Sequence, residues 1–244
     1  MVDVRRDAEP DGPTTSGSGQ GATGPADTGA VRDTRAHVRA TALRLFRERG
    51  YAATTMRLVA QEAGVATGNA YYHFASKDHL VEELYRDVND EHARRAAAVL
   101  ADGGDLTARL RGVLHAGLDA FAPYHAFGAE FVTVAIRPAS AASPFSPASR
   151  AAREVSERLF RDVVAGARPA VPAGLRDELP ELLWLAQLGL LLFWVHDGSP
   201  DQRRTRRLVD GAAPLLGRLV QLARLPVARG VVDDLLRLVR EARA

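Results

Sequence analysis

Between Val31 and Leu80 three helix-forming stretches follow one another within fifty residues, separated by glycine-centred turns too tight to span a large domain. Ala42, Leu45, Phe46 and Arg49 recur at the i, i+3, i+4, i+7 spacing of one helical face, while Arg39, Arg44 and Arg47 fall on others. The first helix is therefore half apolar and half cationic. Gly50 ends it as a left-handed cap, and Thr54 or Thr55 opens the next helix, because a threonine hydroxyl can accept a bond from an otherwise unpartnered first-turn amide. The second helix spans Met56 to Ala63. Gly64 then supplies the turn, Val65 fills the corner, and the small Ala60 and Ala63 let the next helix approach. Ala70 and Phe74 continue the apolar face, which leaves Thr67, Asn69, Tyr71, Tyr72 and His73 outside. This order predicts a helix-turn-helix whose last helix offers hydroxyl, amide and aromatic groups to a groove and its phosphates. Ser76 is a good N-cap for a long fourth helix and puts Lys77 in its first turn. A cation there opposes the helix dipole, which makes sense if the ammonium and the free amides beside it point at one phosphate. Lys77 is also the chain's single lysine, and a compact charge suits that task.

These residues resemble the tetracycline-repressor (TetR) family of bacterial transcriptional regulators over positions 34 to 80. The resemblance rests on ALRLFRERGY, TTMRLVAQEAGV and GNAYYHFASKDHL taken together, with Gly64-Val65, Tyr71, Phe74 and Lys77 at the family's spacing. It implies that Arg57, Thr67, Gly68, Asn69, Tyr71, Tyr72 and His73 face DNA and that Lys77 holds the DNA backbone. The sequence departs from the pattern at three places. Ala66 stands where a Ser or Thr usually caps the recognition helix, so that capping is expected to slip to Thr67; Ala70 replaces a larger aliphatic residue; and His79 replaces the carboxylate that would complete a capping box with Ser76.

At 244 residues the chain has room for one or two domains, and 46% apolar content is ample for a buried core. Its formal net charge is only +2, but residues 31 to 80 hold eight Arg or Lys against four acids, which places positive charge where DNA would lie. Cysteine is absent, which excludes disulfides, cysteine-based zinc sites and thiol nucleophiles. No apolar signal segment opens the sequence, and a cytoplasmic protein is expected. Residues 1–30 are rich in Gly, Pro, Thr, Ser and Asp and read as a disordered, net acidic tail. The domains expected are thus the tail, a helix-turn-helix unit over 31–78 and a helical unit over 79–244 for ligand binding and dimerisation.

Beyond Asp78 no alternating β-branched runs call for strands, so the fold class is all-α. Helices are expected near 77–100, 105–121, 123–136, 147–166, 177–196, 200–224 and 227–242, with an exposed loop at RPASAASPFSP and a kink at Pro214. The run LLWLAQLGLLLFWV, Leu182 to Val195, is apolar on every face except for Gln187, yet at fourteen residues it is too short for a membrane span, which needs ~20. Such a helix needs burial on all sides, and a second subunit can provide it. The resemblance implies a four-helix bundle between two copies, hence a homodimer through about 181–196 and 200–224. Two recognition helices related by a dyad then read a palindromic operator. The resemblance also implies an effector cavity next to the fourth helix. His92, His115, Phe121, Tyr124, Phe127, Phe131 and Trp184, with His125 among them, are the candidates to line it for a small hydrophobic or aromatic effector. The fourth helix, with Lys77 at one end and His92 further along, is the expected lever.

Motifs for catalysis are missing: there is no Gly-x-Ser-x-Gly elbow, no phosphate-cradling glycine loop and no His-Glu-x-x-His. No enzyme activity, metal or cofactor is expected. The reading that results is a DNA-binding transcriptional regulator, a repressor released by its effector. Its alternatives are an activator of the same fold and a helical protein-interaction module without DNA. The basic run Arg203 to Arg207 reads as an exposed helix face rather than a second nucleic-acid patch.

Overall fold

The structure, a computed structural model, describes residues 25–225 together with Gly230, Asp234, Arg237, Leu238, Arg240 and Glu241. Among the described residues every regular element is a helix, and none is long and apolar enough to cross a membrane. Helices α1 (Pro25–Arg49), α2 (Met56–Glu62) and α3 (Thr67–His73) form an N-terminal unit, and α4 (Lys77–Ala101) leads out of it. The remainder is built from α5 (Leu106–Phe121), α6 (His125–Ala135), α7 (Arg150–Ala165), the single turn α8 (Ala173–Arg176), α9 (Leu179–Val195) and α10 (Arg203–Leu222). Residues 1–24 of the expected tail, and most of the helix expected over 227–242, lie outside the described residues. The backbone is already helical from Pro25, ahead of the boundary expected at 31. A proline fits the first helical turn, where its missing N–H has no partner to lose.

The turns behave as their chemistry demands. Gly50 and Gly64 adopt φ of +79° and +65°, a region that costs other residues strain. The Thr55 hydroxyl accepts from Leu58 N at 3.1 Å to start α2, and Ser76 accepts from His79 N at 3.2 Å to start α4. Helix α3 differs from expectation: its cap position stays at Ala66, with no side-chain bond, and Thr67 is already helical. The Val65 amide bonds back to the Ala60 carbonyl at 3.0 Å, which fixes where the turn ends and leaves Thr67 one residue too late to cap.

Val38, Ala42, Leu45, Phe46, Val59, Ala70, Phe74 and Leu80 are fully buried and form one core under α1 to α4. Burial of a phenylalanine contributes roughly 1.5–3 kcal/mol, so Phe46 and Phe74 anchor the unit. A charged clasp reinforces it, because Glu83 of α4 is almost fully buried and receives both Arg35 Nη atoms at 3.0 Å and Arg86 Nη1 at 3.0 Å. Arg39 binds Asp87 one turn further along. Burial alone would raise the Glu83 pKa, but the Arg35 hydrogen bonds and the charges of Arg35, Arg86 and Arg39 outweigh it and hold the carboxyl below its ordinary value. The folded protein therefore binds this proton less readily than the unfolded chain. The stabilisation is complete above the unfolded value of about 4.3 and is lost as pH falls through the folded one. Glu83→Gln is expected to lower stability at pH 7 by about 1–3 kcal/mol, since it leaves partly solvated arginines without their anion. Thermal melts should show the gap to the parent protein closing toward pH 3.

In the C-terminal unit α5 lies at the centre, against α4, α7 and α10. The buried guanidinium of Arg109 joins three of these elements, donating to the carbonyls of Leu100, Asp162 and Val163 at 3.1, 2.8 and 3.1 Å. It adds charged donors to the last turns of α4 and α7, at the negative ends of both helix dipoles. The segment expected as an exposed loop, residues 137–147, is exposed at Arg137, Pro138, Ala139, Ala141, Phe145 and Pro147 but turns part of its length inward. Ser140, Ala142, Ser143 and Ser146 are buried, as is Ser149 just beyond the segment. Its serines supply the bonds that a buried loop would otherwise lack: Ser146 Oγ and Ser149 Oγ donate to the Ala141 carbonyl, at 2.7 and 3.2 Å, and Ser140 Oγ accepts from Ala142 N. Helix α10 continues through Pro214, where a kink was expected. Helix α9 buries Leu183, Trp184, Gln187 and Trp194 but leaves Leu185, Leu192 and Phe193 39–48% exposed. On α10, Leu208, Leu215, Leu219 and Leu222 share one face and are each about half-exposed.

Candidate nucleic-acid interface and effector cavity

Helix α3 is held to the core by Ala70 and, at its end, Phe74, and everything else on it points away. Thr67, Gly68 and Asn69 are exposed, Tyr71 is 51% and Tyr72 78% exposed, and His73 is half-buried with its ring edge-on to Tyr72. Arg57, near the start of α2, is exposed as well. The cations of the unit divide in two. Arg35 and Arg39 are taken up by α4 carboxylates, and Arg44 and Arg49 by Glu62 of α2. Arg47 and Arg57 make no ion pair among the described residues, so the charge available to a polyanion is narrower than the sequence count suggested.

Lys77 sits in a knot at the junction of the units. Its Nζ donates to the Tyr51 carbonyl at 2.8 Å and lies 4.1 Å from the centre of the Tyr51 ring. Partial burial lowers the pKa of this ammonium, opposed by the charges of Asp78 and Glu130. The Tyr51 hydroxyl donates to Asp78, and burial together with that carboxylate keeps the phenol protonated. Glu130 of α6 closes the knot by accepting from the Tyr51 and Ala52 amides, the latter at 3.2 Å. Lys77 thus meets a carbonyl of its own chain, at the N-terminal end of α4.

Four of the expected cavity residues come together. Phe121, Tyr124, Phe127 and Phe131 line a small void of about 40 Å³, with Tyr85, Trp194 and others. Phe121, Phe131 and Tyr85 also wall a larger cavity of about 450 Å³, whose far side is formed by Ser143, Phe145 and Leu192. That volume is in the range of small-molecule sites, and its lining is mostly aliphatic and aromatic. The others lie elsewhere. His92 is buried between α4 and α5 with Nε2 2.9 Å from the Val113 carbonyl, and burial lowers its pKa, so it stays neutral there. His115 meets Asp210 of α10 at 2.9 Å, His125 meets the Trp194 carbonyl at 2.9 Å, and Trp184 packs edge-on against Phe145. Sequence reasoning missed Tyr85, Phe145 and Glu130. Glu130 had a signal, being the lone acid in the otherwise apolar HAFGAEFVTVA. Among the described residues no His, Asp and Glu side chains cluster as a metal site requires.

The chain thus carries an exposed short helix on a three-helix head, joined through one long helix to a helical domain with an apolar cavity. Residues 38–84 match the family model for bacterial regulatory proteins of the tetR family, and residues 109–238, over half of the chain, match the tetracyclin repressor-like C-terminal domain. The chain belongs to the TetR family. Over 98 residues it is 36% identical to the HTH-type transcriptional repressor KstR2 of Mycobacterium tuberculosis, covering 40% of this chain and 49% of that protein. Over 68 residues it is 39% identical to the regulator TtgR of Pseudomonas putida, covering 28% and 32%. The alignments thus span about half or less of these relatives. The fold is similar to that of a TetR transcriptional regulator from Nitrosomonas europaea, with TM-score 0.57, 18% identity and coverage of 75% and 97%. It is likewise similar to the fatty acid degradation regulator FadR from Bacillus halodurans, with TM-score 0.58, 15% identity and coverage of 79% and 96%.

Proposed function

We propose that this protein is a cytoplasmic, homodimeric repressor that leaves a palindromic operator when a small hydrophobic or aromatic molecule enters the C-terminal domain. The observation that carries the DNA half is Tyr72, a tyrosine 78% exposed on a short helix whose other face is fully committed to the core. A residue so placed adds nothing to folding and suits contact with a base edge or phosphate. Arg57, Thr67, Gly68, Asn69, Tyr71 and His73 share that surface, and Lys77 stands at its border as the backbone anchor. The half-exposed leucines of α10 and their neighbours on α9 support the dimer through about 181–196 and 200–224, and the 450 Å³ apolar cavity supports the class of effector.

Selection of bound sequences from random duplex DNA with the full-length protein tests this reading, the expected product being a motif with two-fold symmetry. A selection that returns no enriched sequence, with binding that does not weaken as salt rises, would favour a protein-interaction module instead. Arg203→Ala and Arg204→Ala, on the exposed first turn of α10, are expected to change operator affinity less than about twofold, because an exposed cation that is not on the reading surface is screened within ~10 Å. Gel-shift titrations at fixed salt would check it.

A further inference from the structure

We propose that Glu130 is the positioning residue through which the sensor domain sets the orientation of the reading head. The inference rests on the regulator reading above and adds a route to it. Helix α6 touches three things at once. Phe127 and Phe131 form walls of the cavities, His125 and Gly128 press on the end of α9 at Trp194 and Val195, and the Glu130 carboxylate grips the turn that joins α1 to α2. That grip is close: a Cβ added at Gly50 would lie 2.8 Å from a Glu130 oxygen, so a left-handed glycine is what lets the carboxylate reach the Tyr51 and Ala52 amides. From the other side Lys77 holds the Tyr51 carbonyl, and the Thr54 hydroxyl holds that of Gly50 at 2.9 Å. The turn is therefore strung between α6 and α4, and it leads directly into α2 and α3. A shift of α6 caused by a molecule against Phe131 reaches the head through one carboxylate, in parallel with any swing of α4.

The chain supplies a way to push α6 without knowing the effector. A Cβ at Gly128 would lie 2.9 Å from Val195 Cγ1 and 3.4 Å from Trp194 Cζ3, so Gly128→Ala drives α6 away from α9. In the full-length protein, operator affinity is measured for Gly128→Ala, Glu130→Ala, their combination and Glu130→Gln, using the duplex selected by the parent protein, with amide exchange followed at Tyr51 and Ala52. Glu130→Ala is expected to speed exchange at both amides and to weaken operator binding about five- to tenfold, the low end of coupling between sites. Glu130→Gln, which keeps an acceptor oxygen, should recover most of the affinity. Gly128→Ala should weaken binding in the parent background and add little once Glu130 is gone, because the connection is already cut. Losses that simply multiply, or a Glu130→Ala protein that binds the operator as tightly as its parent, would overturn the proposal. If Gly128→Ala does not fold, the comparison of Ala with Gln at position 130 decides alone. Failure to select any operator would instead bring down the regulator reading beneath it.

Discussion

Placing two carboxylates on the open face of α10, Leu215→Glu with Leu219→Glu, is expected to give a folded monomer whose hold on a palindromic duplex falls by about a hundredfold or more. In a single chain these side chains are 53% and 52% exposed, so the change costs the protomer little. Between two protomers the same carboxylates would be desolvated without a counter-charge, a cost of several kcal/mol that an interface of leucines cannot offset. Two heads on one dimer gain from an effective local concentration worth about 10² to 10⁴ in affinity, and separated heads forfeit it. Sedimentation equilibrium and gel-shift titration of the same sample would report both halves. A variant that stays dimeric would move the interface elsewhere, and a monomer that binds with unchanged affinity would remove dimerisation from the function.

Tyr72→Ala should act on the other term of the same product. The ring is 78% exposed and touches little besides His73, so the melting temperature is expected to stay within about a degree. Each contact to DNA lost is worth at least ~1 kcal/mol, and the dimer loses it at both half-sites, which gives about thirtyfold weaker operator binding. A non-specific duplex should be affected far less. Unchanged affinity with an unchanged melting temperature would show that α3 does not enter the groove.

The head was legible because its rules are local. Ala42, Leu45 and Phe46 declare a face within two turns, Gly50 and Gly64 declare where the chain must adopt positive φ, and Ser76 declares a helix start. All of them behave as their spacing demands. The use of its cations was not legible, since partnering depends on acids that are distant in sequence: Arg35 meets Glu83, and Arg49 meets Glu62. The serine-rich segment misled for a related reason. Prolines and serines signal a loop, but they do not say that hydroxyls of Ser146 and Ser149 will converge on the Ala141 carbonyl and let Ala142 sink to full burial. In the sensor region the aromatic candidates on α5 and α6 met, because neighbouring turns bring them together. His92, His115 and His125 went to partners on α5, α10 and α9 that no spacing rule identifies.

The Arg35–Glu83–Arg86 clasp, with Arg39 on Asp87, fuses α1 to the first half of α4, so the head and its stalk must tilt as a single block. On the proposed function, an effector would then act chiefly by altering the gap and angle between two such blocks. If that proposal holds, the length between half-sites is the quantity such a protein would measure, like a calliper, and DNA with its half-sites set a base pair too far apart would look to the apo protein much as the proper site looks to the effector-bound one.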